Sequence, residues 1–278
     1  MTDQLDARFD GAEANDNKVI RNTPNGTRIV VVSDMQIPLE DAELLEAIFR
    51  FAREWKPKGL ADYHLFLNGD VMDNFTLSKY PARVQPKFTL ADEVKLTRGY
   101  LKAWGKPFTH RHFVFGNHED RWDRELYAAN PMLAGFAPRL QDVLQLEKLG
   151  YDYVDYLKHY DFEGFVITHG DKTTQHVAAG MIQSYHKSGT SGHTNRPQDF
   201  TYRDASGGEP ITWYVTGMTC RMDIHRVIKD WRRQQPWQQG FLIGEVHDGV
   251  LHVQPIRVHH GGFWAAGKFY AVKAEEEK

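Results

Sequence analysis

FVFGNHEDRW, residues 113–122, is the stretch on which the fold turns. Three large apolar residues give way, through Gly116, to an amide, an imidazole and two carboxylates. The same change from apolar run to polar end recurs. RIVVVSD (28–34) ends in Asp34, YHLFLNGD (63–70) in Asp70, and FVITHG (165–170) carries His169. Short runs rich in β-branched and aromatic residues predict strands. Helical spacing lies between them. DAELLEAIFRFAREW (41–55) sets Leu44, Leu45, Ile48, Ala52 and Trp55 on one face behind an Asp41 cap. Thr89 and Asp92 stand at capping-box spacing. Further helices are predicted from Asn117 through Trp122 and Leu126, and near HVAAGMIQSYH (176–186). The rest reads mainly as strands: ITWYVTGM (211–218), GFLIGEV (240–246) and VLHVQPIRV (250–258). This order predicts an α/β fold with a partly parallel sheet and extra strands. Sites in open α/β sheets form beyond the carboxyl ends of strands, so Asp34, Asp70, Asn117 and His169 are expected to converge.

The chain of 278 residues is 41% hydrophobic and 13% aromatic, enough for a sizeable core. A formal charge of −3 argues against broad coating of nucleic acid, which needs a basic surface. It leaves room for a small phosphate-bearing ligand. One cysteine, Cys220, excludes an internal disulfide and fits a reducing compartment. The N-terminus has no basic start followed by an apolar stretch, and no run approaches the ~18 apolar residues of a membrane helix. The expectation is a soluble cytoplasmic protein without a membrane partner. Residues 1–24 read as a flexible N-terminal arm, 25–263 as one domain, and 264–278 as a solvated C-terminal tail.

The polar strand ends supply a mixed oxygen and nitrogen set: Asp34 and Gln36 in SDMQIP, Asp70 and Asp73 in NGDVMD, Asn117 and His118 in GNHED, His169 in THGD, and His193 with Asn195 in SGHTNR. With no thiolate, such a set suits Mn²⁺, Fe, Zn²⁺ or Mg²⁺. A carboxylate can bridge two cations ~3.5–4 Å apart, as in two-metal hydrolysis of phosphate esters.

These motifs resemble those of the calcineurin-like metallophosphoesterase superfamily, in a prokaryotic and phage-type branch. The family pattern is D-x-H, GDxxD, GNH[D/E], an isolated His before Gly, and GHxH. Here the blocks read DMQ, GDVMD, GNHE, HG and GHTN, in order, over roughly residues 28–196. The resemblance implies a two-sheet β-sandwich flanked by helices and a pair of divalent metal ions. Asp70 would bridge them. Asn117, His169 and His193 would complete one site, and Asp34, Gln36 and Asn195 the other. His118 would be the catalytic side chain rather than a ligand, donating a proton or hydrogen bond near the leaving-group oxygen. Asp73 and Glu119 or Asp120 would orient imidazoles. Apart from the resemblance, Asp73 reads equally as a cap for the segment that follows it, and Arg196 as a contact to substrate phosphate or a solvated side chain. Two departures fall on one metal site: Gln36 and Asn195 replace family histidines. Two neutral amides make that site harder and weaker, favouring Mn²⁺ or Mg²⁺ over Zn²⁺.

The function so implied is hydrolysis of a phosphate ester by attack of a metal-bound hydroxide, with a phosphodiesterase acting on a small ester or nucleotide preferred and nucleic acid not favoured. The rivals are a phosphomonoesterase and a degenerate single-metal domain that only binds a nucleotide or partner. Blander readings apply elsewhere. His110 and His112 alternate at strand period and read as edge or solvent-face residues. His259 and His260 read as structural. KDWRRQQPWQQ (229–239) reads as core aromatics with a solvated face rather than a nucleic-acid surface.

Overall fold

A computed structural model describes residues 16–78, 88–125, 132, 136, 138–223 and 236–272. Two six-stranded sheets lie face to face. The first is built on four parallel strands, β2 (Arg28–Val32), β3 (Tyr63–Asn68), β4 (His110–Val114) and β5 (Tyr151–Val154). Two late strands, β11 (Gly240–His247) and β12 (Val250–Arg257), complete it, with β11 antiparallel to β2. The second sheet takes β1 (Lys18–Ile20), β6 (Tyr160–Phe162), β7 (Phe165–Ile167), β8 (Gly189–Ser191), β9 (Gln198–Tyr202) and β10 (Ile211–Val215), in the order β1-β6-β7-β8-β10-β9. Strands β13 (Gly262–Ala265) and β14 (Lys268–Ala271) form a hairpin of their own.

Strand period two divides the core. Val30 and Val32 of β2 pack toward helices α1 (Ala42–Glu54) and α2 (Leu90–Trp104), while Ile29 and Val31 face the second sheet. Between the sheets, Phe66 and Val114 meet Tyr160, Phe162 and Ile167. The far side of the second sheet is covered by α5 (Val177–Tyr185), whose Met181 and Ile182 pack with Trp213. Two short helices, α3 (Asn117–Asp123) and α4 (Leu140–Leu144), sit on the side of the first sheet. The result is the helix–sheet–sheet–helix layering expected of a two-sheet sandwich. Among the described residues, no helix is long and apolar enough to cross a membrane.

Local signals hold where they were clear. Asp41 accepts from the Leu44 N–H at the head of α1, and Thr89 and Asp92 form a reciprocal capping box on α2. Several readings change. The flexible arm does not reach residue 24: Lys18–Ile20 pair in parallel with β6, and Lys18 and Arg21 make ion pairs with Asp152 and Asp161. Nor is 264–278 wholly a tail, since β14 buries Tyr270 against Phe51 and Phe263. His112 is buried rather than on a solvent face, because the second sheet covers that side of β4. His169 reaches the site from β7 of the second sheet, not from a fourth strand of the first. Residues 1–15, 79–87, 126–131, 133–135, 137, 224–235 and 273–278 lie outside the described residues, and with them most of the 229–239 segment and Leu126.

Candidate functional site

The two sheets deliver their polar strand ends to one place. Asp70, just past β3, is 2% exposed and central. Its Oδ1 lies 3.3 Å from His169 Nε2 and accepts from the His118 N–H at 3.0 Å. The Asn117 Oδ1 lies 2.7 Å from His193 Nδ1 and 3.3 Å from His169 Nε2. Asp34 joins through Oδ2, which accepts from the His193 N–H at 3.1 Å and from the Ser33 hydroxyl. The Gln36 N–H donates to the Asp70 carbonyl at 2.9 Å, and its side-chain oxygen faces the Cys220 thiol. Asn195 is buried two residues beyond His193. The structure thus brings together Asp34, Asp70, Asn117, His118, His169 and His193, with Gln36 and Asn195 buried on the same connected loops.

The turns are forced. Asp34, Gln36, Asp70, His193 and Asn195 all have left-handed φ, between 49° and 70°. Non-glycine residues seldom adopt it, and each instance stores conformational energy of about 1–3 kcal/mol. Sequence spacing gives no sign of this at the donors themselves, although Gly69, before Asp70, is left-handed as well (φ 81°). Close approach also demands glycine at these preceding positions. A Cβ at Gly69 would overlap the His169 ring, and one at Gly116 would overlap the Asp70 carboxylate.

Glu119, 1% exposed, clamps two of these turns. Its Oε2 accepts from Gly116 N–H at 2.8 Å and Asp70 N–H at 2.9 Å, and its Oε1 from Met72 N–H at 2.9 Å. It holds backbone rather than an imidazole, a correction to the expected role. Asp73 does face an imidazole: its Oδ1 lies 3.0 Å from His118 Nδ1, while His118 Nε2 lies 3.6 Å from Asp70 Oδ2. Asp120 points away, toward Arg124. Arg196 donates to the Thr173 and Thr174 carbonyls. Sequence reasoning missed Glu93, buried in α2, which accepts from the Asn74 N–H, and Asn74, whose amide holds the His118 carbonyl. In sequence Glu93 reads as one more solvated helix carboxylate, so no local signal marks it.

Burial and charge set the proton inventory. Burial would raise the Asp70 carboxyl, but His118 and His169 hold it well below the usual range. Burial would likewise depress His169, yet the Asp70 charge pushes it up to about 10. Burial pushes Asp34 up to about 7, and burial with the His169 charge pushes His193 down to about 4. A buried cluster that must hold a proton on His169 to balance Asp70 is one in which a cation can take the proton's place.

The donors fit divalent ions. One ligand atom each from Asp70, His169 and His193 lies within 4.8 Å of the others. His169 Nδ1 sits 2.9 Å from the Asn68 carbonyl, which makes Nδ1 the donor there and Nε2 the atom that would turn to a cation in place of its proton. Asp34 Oδ1 and Asn195 Oδ1 are buried with no hydrogen-bond partner, an arrangement that is expensive unless a cation satisfies them.

Comparison with known proteins agrees with this geometry. The sequence profile of the calcineurin-like phosphoesterases matches residues 27–211. The chain is also similar to the gene 54 proteins of Mycobacterium phages L5 and D29, 27% identical to each over 266 residues, spanning 88% of this chain and 99% of each relative.

Proposed function

The chain belongs to the calcineurin-like phosphoesterase family, whose chemistry is metal-dependent hydrolysis of phosphate esters, and from that premise we propose that it is a phosphodiesterase. The observation that carries this reading is the mounting of His118, with Nδ1 3.0 Å from Asp73 and Nε2 directed at Asp70. Asp70 and Asp73 together favour the protonated ring against its burial, and Nε2 is the atom that hands a proton to the departing alkoxide. Divalent ions held by Asp34, Asp70, Asn117, His169 and His193, with Gln36 and Asn195, would acidify water and neutralise phosphoryl charge.

Charge supports a diester over a monoester. The arginines nearest the cluster in sequence are already engaged: Arg121 with the Asp73 carbonyl, Arg196 with the 173–174 carbonyls, and Arg221 with Asp223. A diester brings one negative charge, which the metal ions can meet; a monoester dianion brings a second. The Asp34, Gln36 and Asn195 set is oxygen-rich and suits Mn²⁺. The test is turnover of bis-p-nitrophenyl phosphate against p-nitrophenyl phosphate in Mn²⁺. Diester hydrolysis at least tenfold faster is expected; preference for the monoester overturns the reading.

A further inference from the structure

A second group of ligating side chains lies at the opposite end of the first sheet. Asp62 precedes β3, His64 is its second residue, and His110 opens β4 directly across from His64. Spacing by two and cross-strand pairing put all three on one face. That face meets the second sheet, at a cleft of about 490 Å³. Asp70 follows His64 by six residues, so at about 3.3 Å per strand residue this group is roughly 20 Å from the candidate active site.

We propose that Asp62, His64 and His110 bind a Zn²⁺-type dication, apart from the active-site metals. The three offer ligand atoms within 4.8 Å of one another. His110 Nε2 and Asp62 Oδ1 are 3.3 Å apart. Bonds of about 2.0–2.1 Å at tetrahedral angles require a separation of roughly 3.3–3.4 Å. A second observation is independent of this clustering. His64 is 3% exposed, and its Nε2 is buried with no hydrogen-bond partner. Its Nδ1 lies 3.0 Å from His112 Nε2. In the tautomer where Nδ1–H donates to His112, the Nε2 lone pair is left for a cation, and His112 serves as the outer group that orients the ligand. Two imidazoles and a carboxylate, with water completing the shell, suit Zn²⁺ better than Mg²⁺. The positive groups on the rim do not oppose it, since Lys18 pairs with Asp152 and Arg21 with Asp161. His110, with a side chain 48% exposed, provides the route in and freedom to adjust.

The test titrates metal-stripped, full-length protein with Zn²⁺, reading bound metal by elemental analysis and the Zn²⁺-dependent rise in Tm. The proteins are wild type, His110→Ala, Asp62→Asn and Asp70→Asn. The first two changes are at partly exposed side chains, so folding is retained. Each is expected to remove one equivalent of bound Zn²⁺ or weaken it more than tenfold, while Asp70→Asn leaves that equivalent in place. Equal Zn²⁺ content and affinity in wild type, His110→Ala and Asp62→Asn overturns the proposal, whatever the hydrolytic activity proves to be.

Discussion

On the proposed reading His118 is the general acid, and its neighbours make that role testable. Replacement by Ala should lower kcat by about 10²–10⁴-fold, the span of general acid catalysis, while metal content by elemental analysis stays unchanged. Burial lowers the His118 pKa, but Asp70 and Asp73 raise it above the ordinary value. A general acid works only while protonated, so activity falls as pH rises through its pKa. Asp73→Asn removes one raising charge, and the alkaline limb of the kcat profile should move to lower pH; an unmoved limb would separate Asp73 from proton transfer. Gln36 and Asn195 pose a different question. Amide oxygens are weaker donors than imidazoles toward borderline metals. The Asp34 side should therefore fill only at higher Mn²⁺ than the histidine side. The double change Gln36→His with Asn195→His should tighten it and turn its preference toward Zn²⁺, as read by calorimetric titration; two equally tight sites in the wild type would contradict this.

At the scale of elements, the site is a set of strand-to-turn junctions held by close contact. Gly116→Ala would press a methyl onto the Asp70 carboxylate and the Glu119 clamp. The expected result is loss of most bound metal with a lower Tm, checked by elemental analysis and calorimetry on the same sample. These junctions were legible in the sequence because an apolar strand that ends in Gly and a ligating residue is unusual wherever it falls. The long parallel strands β2, β3 and β4 and helices α1 and α2 were legible too, through period and caps. Strands β1, β6 and β8 have three residues each, too few to show alternation; β7 is as short and was read only from its apolar FVI run. Strand β8 is also hidden by its hydroxyls: Ser191 accepts from the Trp213 indole in the interior, so a buried strand reads as a polar loop. His112 was misplaced for a related reason. Alternation tells which residues share a face, but whether that face meets water depends on a second sheet the local sequence cannot announce.

Across the whole molecule, the inter-sheet layer carries a pair of imidazoles that burial keeps neutral. Burial, with neighbouring histidines, pushes both His64 and His112 down to about 3. An unfolded histidine titrates near 6.5. Between these values the unfolded chain binds more protons, so stability is full above pH 6.5 and drains away as pH falls toward 3. In metal-stripped protein, denaturation midpoints should drop between pH 7 and 4, and His112→Phe, which keeps ring packing against Phe66 and Tyr160, should blunt the drop. Another whole-molecule feature bears on how the chain is made. Strand β2 is flanked by β3 and by β11, and the Leu242↔Val31 pair joins residues about 200 positions apart. On the ribosome, then, the first-made strand of the main sheet waits with one edge bare until nearly the last strand emerges. A nascent chain stopped at residue 223 presents Ile29–Val32 as an open template for other chains, and such fragments should collect as aggregates where the full chain does not.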